Sequence, residues 1–137
     1  MLTRSMEGIL AHTTTEIRRT ISSRVPRVPF EKIARDIFSE RYVLSLVICG
    51  DALARRINRA YRKKDYAPNV LSFPLGGYEG EIFLNVRKGE REAKAAGISA
   101  RERIALLFVH GCLHLRGFKH GKKMEGLEKS TLKKYGF

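Results

Sequence analysis

The stretch SARERIALLFVHGCLHLRG, residues 99–117, decides the fold. Ser99 and Glu102 stand three residues apart just ahead of a long apolar run, the spacing of a capping box that opens a helix. The spacing predicts a helix from about Ala100 to Leu115 or Arg116. Gly117 is placed to end it, because a glycine just past a helix takes the left-handed conformation that closes it. Ile104 to Val109 is apolar on every side, so the helix belongs inside the core and not on the surface.

Strand signals precede this helix. Glu81 to Asn85 (EIFLN) and Val70 to Phe73 read as short strands, the latter closed by Pro74, with Gly76 and Gly77 as a loop between them. Lys88 to Ala96 reads as a helix ended by Gly97. Arg41 to Cys49 (RYVLSLVIC) is β-branched and apolar enough for a buried strand, broken by Gly50. Asp51 is the expected N-cap of the next helix. On it Leu53, Ile57 and Tyr61 share one face, and Arg55, Arg59 and Arg62 share another. Pro26 and Pro29 punctuate the chain before Phe30, Ile33, Ala34, Ile37 and Phe38, which fall at helical spacing. The first 25 residues carry the weakest pattern, an apolar Gly8 to Ala11 followed by Thr13, Thr14 and Thr15; a first strand fits there. A weakly amphipathic basic helix is expected from Lys122 to Tyr135. The expected fold is mixed α/β (α+β): one domain over residues 1–137 with a small mixed sheet of about four strands. Helices pack on that sheet, and the histidine-bearing helix is buried in the core. The pattern does not order the strands.

Composition sets the class. The chain has 137 residues, 43% hydrophobic and 30% charged, and is long enough to bury a core without disulfides. No apolar run approaches a membrane span and no signal-peptide core is evident, so the cytoplasm is the expected location, with no membrane partner. Cys49 and Cys112 lie in apolar stretches and read as small buried hydrophobes. Charge is the unusual feature. Twenty-seven Lys and Arg against fourteen Asp and Glu leave a formal charge of +13, with a pI near 10.2. Such a domain favours a polyanionic partner, of which nucleic acid is the commonest.

Three of the four histidines fall within HGCLHLRGFKH, residues 110–120. His110 and His114 are four apart on a helix, so both imidazoles project from one face. Gly117 allows the turn that brings His120 back as a third ligand. Three imidazoles with no fourth protein ligand nearby leave a tetrahedral position open, the arrangement of a catalytic zinc site; structural zinc sites close all four. Cys112 lies on the opposite side of the helix. The spacing also matches the ligand pattern of metzincin proteases, but those carry a glutamate base directly after the first histidine. Gly111 stands there and takes no proton, which argues against peptide hydrolysis.

The second constellation is NRAYRKKD, residues 58–65. A helix end carrying Arg59, Arg62, Lys63 and Lys64 presents donors suited to phosphate. Beside a hydrolytic metal, an arginine that stabilises developing phosphoryl charge makes a workable phosphodiester hydrolysis site. Glu81 and Glu128 are candidates for a general base.

With HGCLHLRGFKH at 110–120, NRAYRKKD at 58–65, VLSFP at 70–74 and GEIFLN at 80–85, the sequence resembles the YbeY family of zinc-dependent endoribonucleases. The order and spacing agree from about Pro29 to His120. The resemblance implies one α/β domain and zinc-dependent cleavage of single-stranded RNA, in maturation of small-subunit rRNA and in ribosome quality control. The ribosome or ribosomal proteins are implied partners. His110, His114 and His120 match the family's zinc ligands, and Arg62 matches its arginine that binds or orients phosphate. Two departures stand out: Lys119 replaces the family's usual Asp before the third histidine, and Pro68-Asn69 replaces its Thr-Asp or Thr-Asn. Two other readings keep the zinc. One is a non-catalytic RNA- or ribosome-binding assembly factor with a structural ion, and the other is a metalloprotease.

Overall fold

Along Val43–Cys49 side chains alternate between two faces, and both are buried. Leu44, Leu46 and Ile48 enter one core cluster, while Val47 and Cys49 enter another. A strand covered on both sides reads as one continuous apolar run, which is why its sequence shows no alternation. This strand is central in the sheet. The computed structural model describes residues 12–137. Among them four strands form one mixed sheet in the order β1-β2-β4-β3: β1 (Thr14–Arg19), β2 (Val43–Cys49), β3 (Val70–Gly76) and β4 (Glu79–Asn85). β1, β2 and β4 run parallel, in register Ile17–Leu46 and Leu46–Ile82. β3 pairs antiparallel with β4, Leu71 opposite Phe83. The strand expected in the first 25 residues is β1; Gly8 to Ala11 fall outside the described residues.

Five helices accompany the sheet among these residues: α1 (Phe30–Phe38), α2 (Asp51–Arg62), α3 (Val86–Ala96), α4 (Ala100–Leu115) and α5 (Lys122–Lys134). The larger cluster joins α1 and α4 to Leu44, Leu46, Ile82 and Leu84, with Val86 of α3 and Met124 of α5. The smaller lies across the sheet, where Ala54, Leu53 and Ile57 of α2 cover Val47, Leu71 and Phe83. Each fully buried aliphatic side chain contributes about 1.5–3 kcal/mol, so the larger cluster dominates the fold and α4 runs through it.

α4 begins and ends as its sequence predicts. The Ser99 hydroxyl accepts from the Glu102 amide at 3.0 Å. At the other end Gly117 has φ 94°, its amide donating to the His114 carbonyl at 2.9 Å and that of Phe118 to Leu113 at 3.0 Å. These paired bonds are a Schellman closure. In one respect the helix differs from expectation. Ile104, Ala105, Leu107, Phe108 and Val109 are buried, but Leu106 is half-exposed. It shares a wall with Arg103 and His110, a stripe of α4 left uncovered along a cavity.

Three other boundaries are corrected. Gly50 is the N-cap of α2, and Asp51 is its first helical residue. The Asp51 carboxylate accepts instead from Asn85 Nδ2 at 2.9 Å and from Arg91 at 2.8 Å. α3 starts two residues before Lys88 because Asn85 caps it, accepting from the Lys88 amide at 3.2 Å. β3 continues through Pro74, with a register shift before Gly76. It lies at the end of the strand order, and an edge strand tolerates a residue that cannot donate. No helix among the described residues is long and apolar enough to cross a membrane.

Candidate metal centre and cleft

The three imidazoles meet. His110 and His114 project one helical turn apart from α4, and the turn after Gly117 returns His120 beside them. Their ligand atoms lie within 4.8 Å of one another. The ring centroids are 4.5 Å apart for His110–His114, 4.9 Å for His110–His120 and 4.6 Å for His114–His120.

The hydrogen bonds decide what these rings offer. His110 Nδ1 faces the Glu128 carboxylate at 3.2 Å, and His114 Nδ1 faces the Phe118 carbonyl at 3.0 Å. Both partners are acceptors, so each ring carries its hydrogen on Nδ1 and leaves Nε2 bare. The two Nε2 atoms are 3.0 Å apart. Two lone pairs pointed together at that distance repel unless a cation stands between them. A proton is disfavoured: burial holds the His110 pKa below its usual value, and His114 and His120 lower it further against the opposing pull of Glu128. A metal ion fits, since two zinc–nitrogen bonds of about 2.1 Å at a tetrahedral angle place their nitrogens about 3.4 Å apart. The donor set therefore suits a divalent ion held on Nε2, with Glu128 and the Phe118 carbonyl orienting the rings behind it.

Residues from four elements wall the cleft at this point. It has a volume of about 650 Å³ and is lined by the three histidines, Arg62 at the end of α2, Tyr66, Pro68 and Asn69 of the following loop, Val70 to Ser72 of β3, and Lys88 of α3. Lys88 Nζ donates to the Ala67 carbonyl at 2.8 Å and lies 5.7 Å from the Tyr66 ring centre. Asn69 Nδ2 donates to Glu92 at 3.2 Å, and Glu92 pairs with Arg103 at 3.1 Å. Ser72 donates to the Gly111 carbonyl at 3.0 Å.

The predicted residues divide. Arg62 shares the cleft with the histidines. Arg59 does not; it lines a groove with Arg55 and Arg56 and approaches Asp65 at 3.5 Å. Lys63 and Lys64 are exposed and line neither cavity beside the histidines. Lys63 caps α2 in the left-handed conformation, φ 60°, which turns the chain directly after Arg62. Lys119 is exposed and also lines neither cavity. Cys112 is buried in the core, and burial pushes its thiol well up. Of the two proposed bases, Glu128 is engaged with His110. Glu81 bonds Ser45 Oγ at 3.1 Å and alternates with Ile82, so it leaves the sheet on the side away from α4. Lys88, Asn69 and Tyr66 were not anticipated, because packing and not sequence spacing brings them to the site.

The family model described as Endoribonuclease YbeY matches residues 10–136. A Helicobacter pylori protein named Endoribonuclease YbeY is 42% identical over 96 residues, 67% of each chain. Its Solibacter usitatus namesake is 42% identical over 94 residues, 66% of this chain and 64% of that one. The chain thus spans about two thirds of the length of these curated relatives. In fold it is similar to a Thermotoga maritima protein solved in solution, with a TM-score of 0.57 and 20% identity over 85% of this chain and 87% of that one. With nearly its whole length matched by the family model, the chain belongs to the YbeY family.

Proposed function

We propose that the protein is a zinc-dependent endoribonuclease that cuts single-stranded RNA in the cytoplasm, acting on small-subunit rRNA during maturation and ribosome quality control. The observation that carries this reading is the meeting of three imidazoles, His110 and His114 presenting Nε2, with Arg62 in one cleft. When bound, the ion supplies Lewis acidity toward water and toward a phosphoryl oxygen. The chain supplies the rest. Arg62 donates to the non-bridging oxygens of the phosphate and stabilises charge as it develops there. Lys88 adds a second cation on the same wall, held in place by the Ala67 carbonyl. Tyr66, 46% exposed, offers a face on which an unpaired base stacks. The overall +13 charge draws the strand in. Support for RNA as the substrate comes from the family's name and from this basic cleft.

The test is cleavage of a single-stranded rRNA fragment by the wild-type protein and by His114→Ala purified identically. Cleavage by the wild type alone supports the reading and excludes a contaminating nuclease. Zinc bound to the wild type with no cleavage by either protein overturns it in favour of a binding factor with a structural ion.

A further inference from the structure

Two cavities of opposite character meet at the imidazoles. The larger carries the cations Arg62 and Lys88. The smaller, about 290 Å³, opens between α4 and α5, and shares His110, His120 and Asn69 with it. Half-exposed Leu106 gives the smaller cavity apolar surface, with Met124 almost wholly buried in its wall, and Glu125 and Glu128 give it carboxylates. Arg103, the Lys or Arg on its wall among the described residues, is tied to Glu92. Phosphate is repelled by such walls. A nucleobase suits them: its flat faces meet apolar side chains, and its N–H edge meets carboxylate acceptors. An RNA nucleotide has both parts, so the contrast between the cavities assigns the phosphate to one and the base to the other.

We propose that the smaller cavity is a base-recognition subsite for the nucleotide beside the phosphate at the imidazoles, and that Glu125 there selects guanine. The proposal rests on the RNA-cleaving reading above. Among the four bases, guanine presents two N–H donors side by side, at N1 and N2, which match the two oxygens of one carboxylate. Uracil presents one N–H between two carbonyl oxygens that carboxylates repel. Adenine and cytosine place a bare ring nitrogen beside their amino group. Glu125 carries the selection because Glu128 is held by His110 at 3.2 Å. The Glu125 side chain is exposed and makes no ion pair among the described residues.

The experiment is fluorescence anisotropy with the zinc-loaded protein, the bound oligomer being verified intact on a gel. The probes are a single-stranded oligouridylate with one central guanosine, the same oligomer with inosine there, and the all-uridine oligomer. The wild type binds the guanosine oligomer about tenfold tighter than all-uridine, with inosine between, as one good bidentate contact gives. Glu125→Ala and Glu125→Gln each narrow that ratio to about twofold, chiefly by weakening binding of the guanosine oligomer. Equal wild-type affinity for the three probes, or full discrimination retained by Glu125→Ala, overturns the subsite. Cleavage of the same probes is scored separately. Discrimination without cleavage overturns the nuclease reading and leaves the subsite standing; cleavage without discrimination does the reverse.

Discussion

Gly111 follows the first metal-facing histidine where α4 packs tightly against β3 and β4. A Cβ at that position would stand 3.0 Å from Ser72 Oγ and 3.2 Å from both Ile82 Cδ1 and Val70 Cγ2. A glutamate base of the protease type has no room, so its absence is a consequence of packing. Glu128 answers a different need at the neighbouring residue. A carboxylate bonded to the remote nitrogen of a ligating imidazole fixes its tautomer and orientation, and losing such a partner weakens metal binding about 10–100-fold. Glu128→Gln is therefore expected to raise the zinc dissociation constant by about that factor in a chelator competition, with the fold intact by circular dichroism. Unchanged zinc affinity would assign Glu128 no part in holding His110. The same residue pair gives a pH dependence. Burial keeps the folded-state pKa of His110 below the 6.5 of a free imidazole, so the unfolded chain takes up the proton more readily. The metal-free protein is then at full stability above pH 6.5 and loses stability as the pH falls below it. Urea unfolding of chelator-treated protein at pH 7.5 and 5.5 measures this, and His110→Gln should shrink the difference.

At the scale of elements, one asparagine ties the site's walls together. Asn85 ends β4 fully buried, caps α3 through the Lys88 amide, and donates to Asp51 at the start of α2 and to the Pro68 carbonyl at 3.1 Å. Its amide also donates to the Asn69 carbonyl at 2.9 Å. Three elements and the cleft loop converge on this residue. Asn85→Ala removes a cap and leaves the buried Pro68 carbonyl without its donor, an expected loss of about 2 kcal/mol. The loop over 63–69 should also become a site of proteolytic cleavage under native conditions. Thermal unfolding and limited trypsin digestion report the two effects. The sequence shows Asn85 as the end of EIFLN, and its preference for N-caps was the available signal. What stayed hidden was the hub, since its partners lie 17 and 34 positions away. α4 was legible end to end because capping box, apolar run and closing glycine are all local. The three histidines were legible for the same reason. Lys88, Asn69 and the fixed role of Glu128 were not, since β4 and α5 must dock before they reach the site. The run of β3 through Pro74 was hidden likewise, because edge position is a property of the assembled sheet.

For the whole molecule, the question is how its excess positive charge divides between attraction and chemistry. Exposed cations away from the cleft act by releasing counterions from RNA, an effect that scales with the number of phosphates neutralised and fades with salt. Lys63 and Lys64 belong to that group: they are exposed and stand off the cleft wall. Arg59 is partly spent on Asp65. Arg62 is different, because it opens into the space that the imidazoles face. Substituting Lys63 and Lys64 together by glutamine should lower the slope of log affinity against log salt by about 1.4, at about 0.7 per phosphate for a single strand. The cleavage rate at saturating RNA should hardly change. Arg62→Ala should behave the other way, leaving the zinc content intact and lowering saturating turnover by about 10²–10³-fold, the size of effect seen when one preorganised charge-stabilising donor is removed. Salt titrations of binding and single-turnover cleavage on both variants separate the two roles. A saturating rate unaffected by Arg62→Ala would return that residue to the same diffuse field as its neighbours.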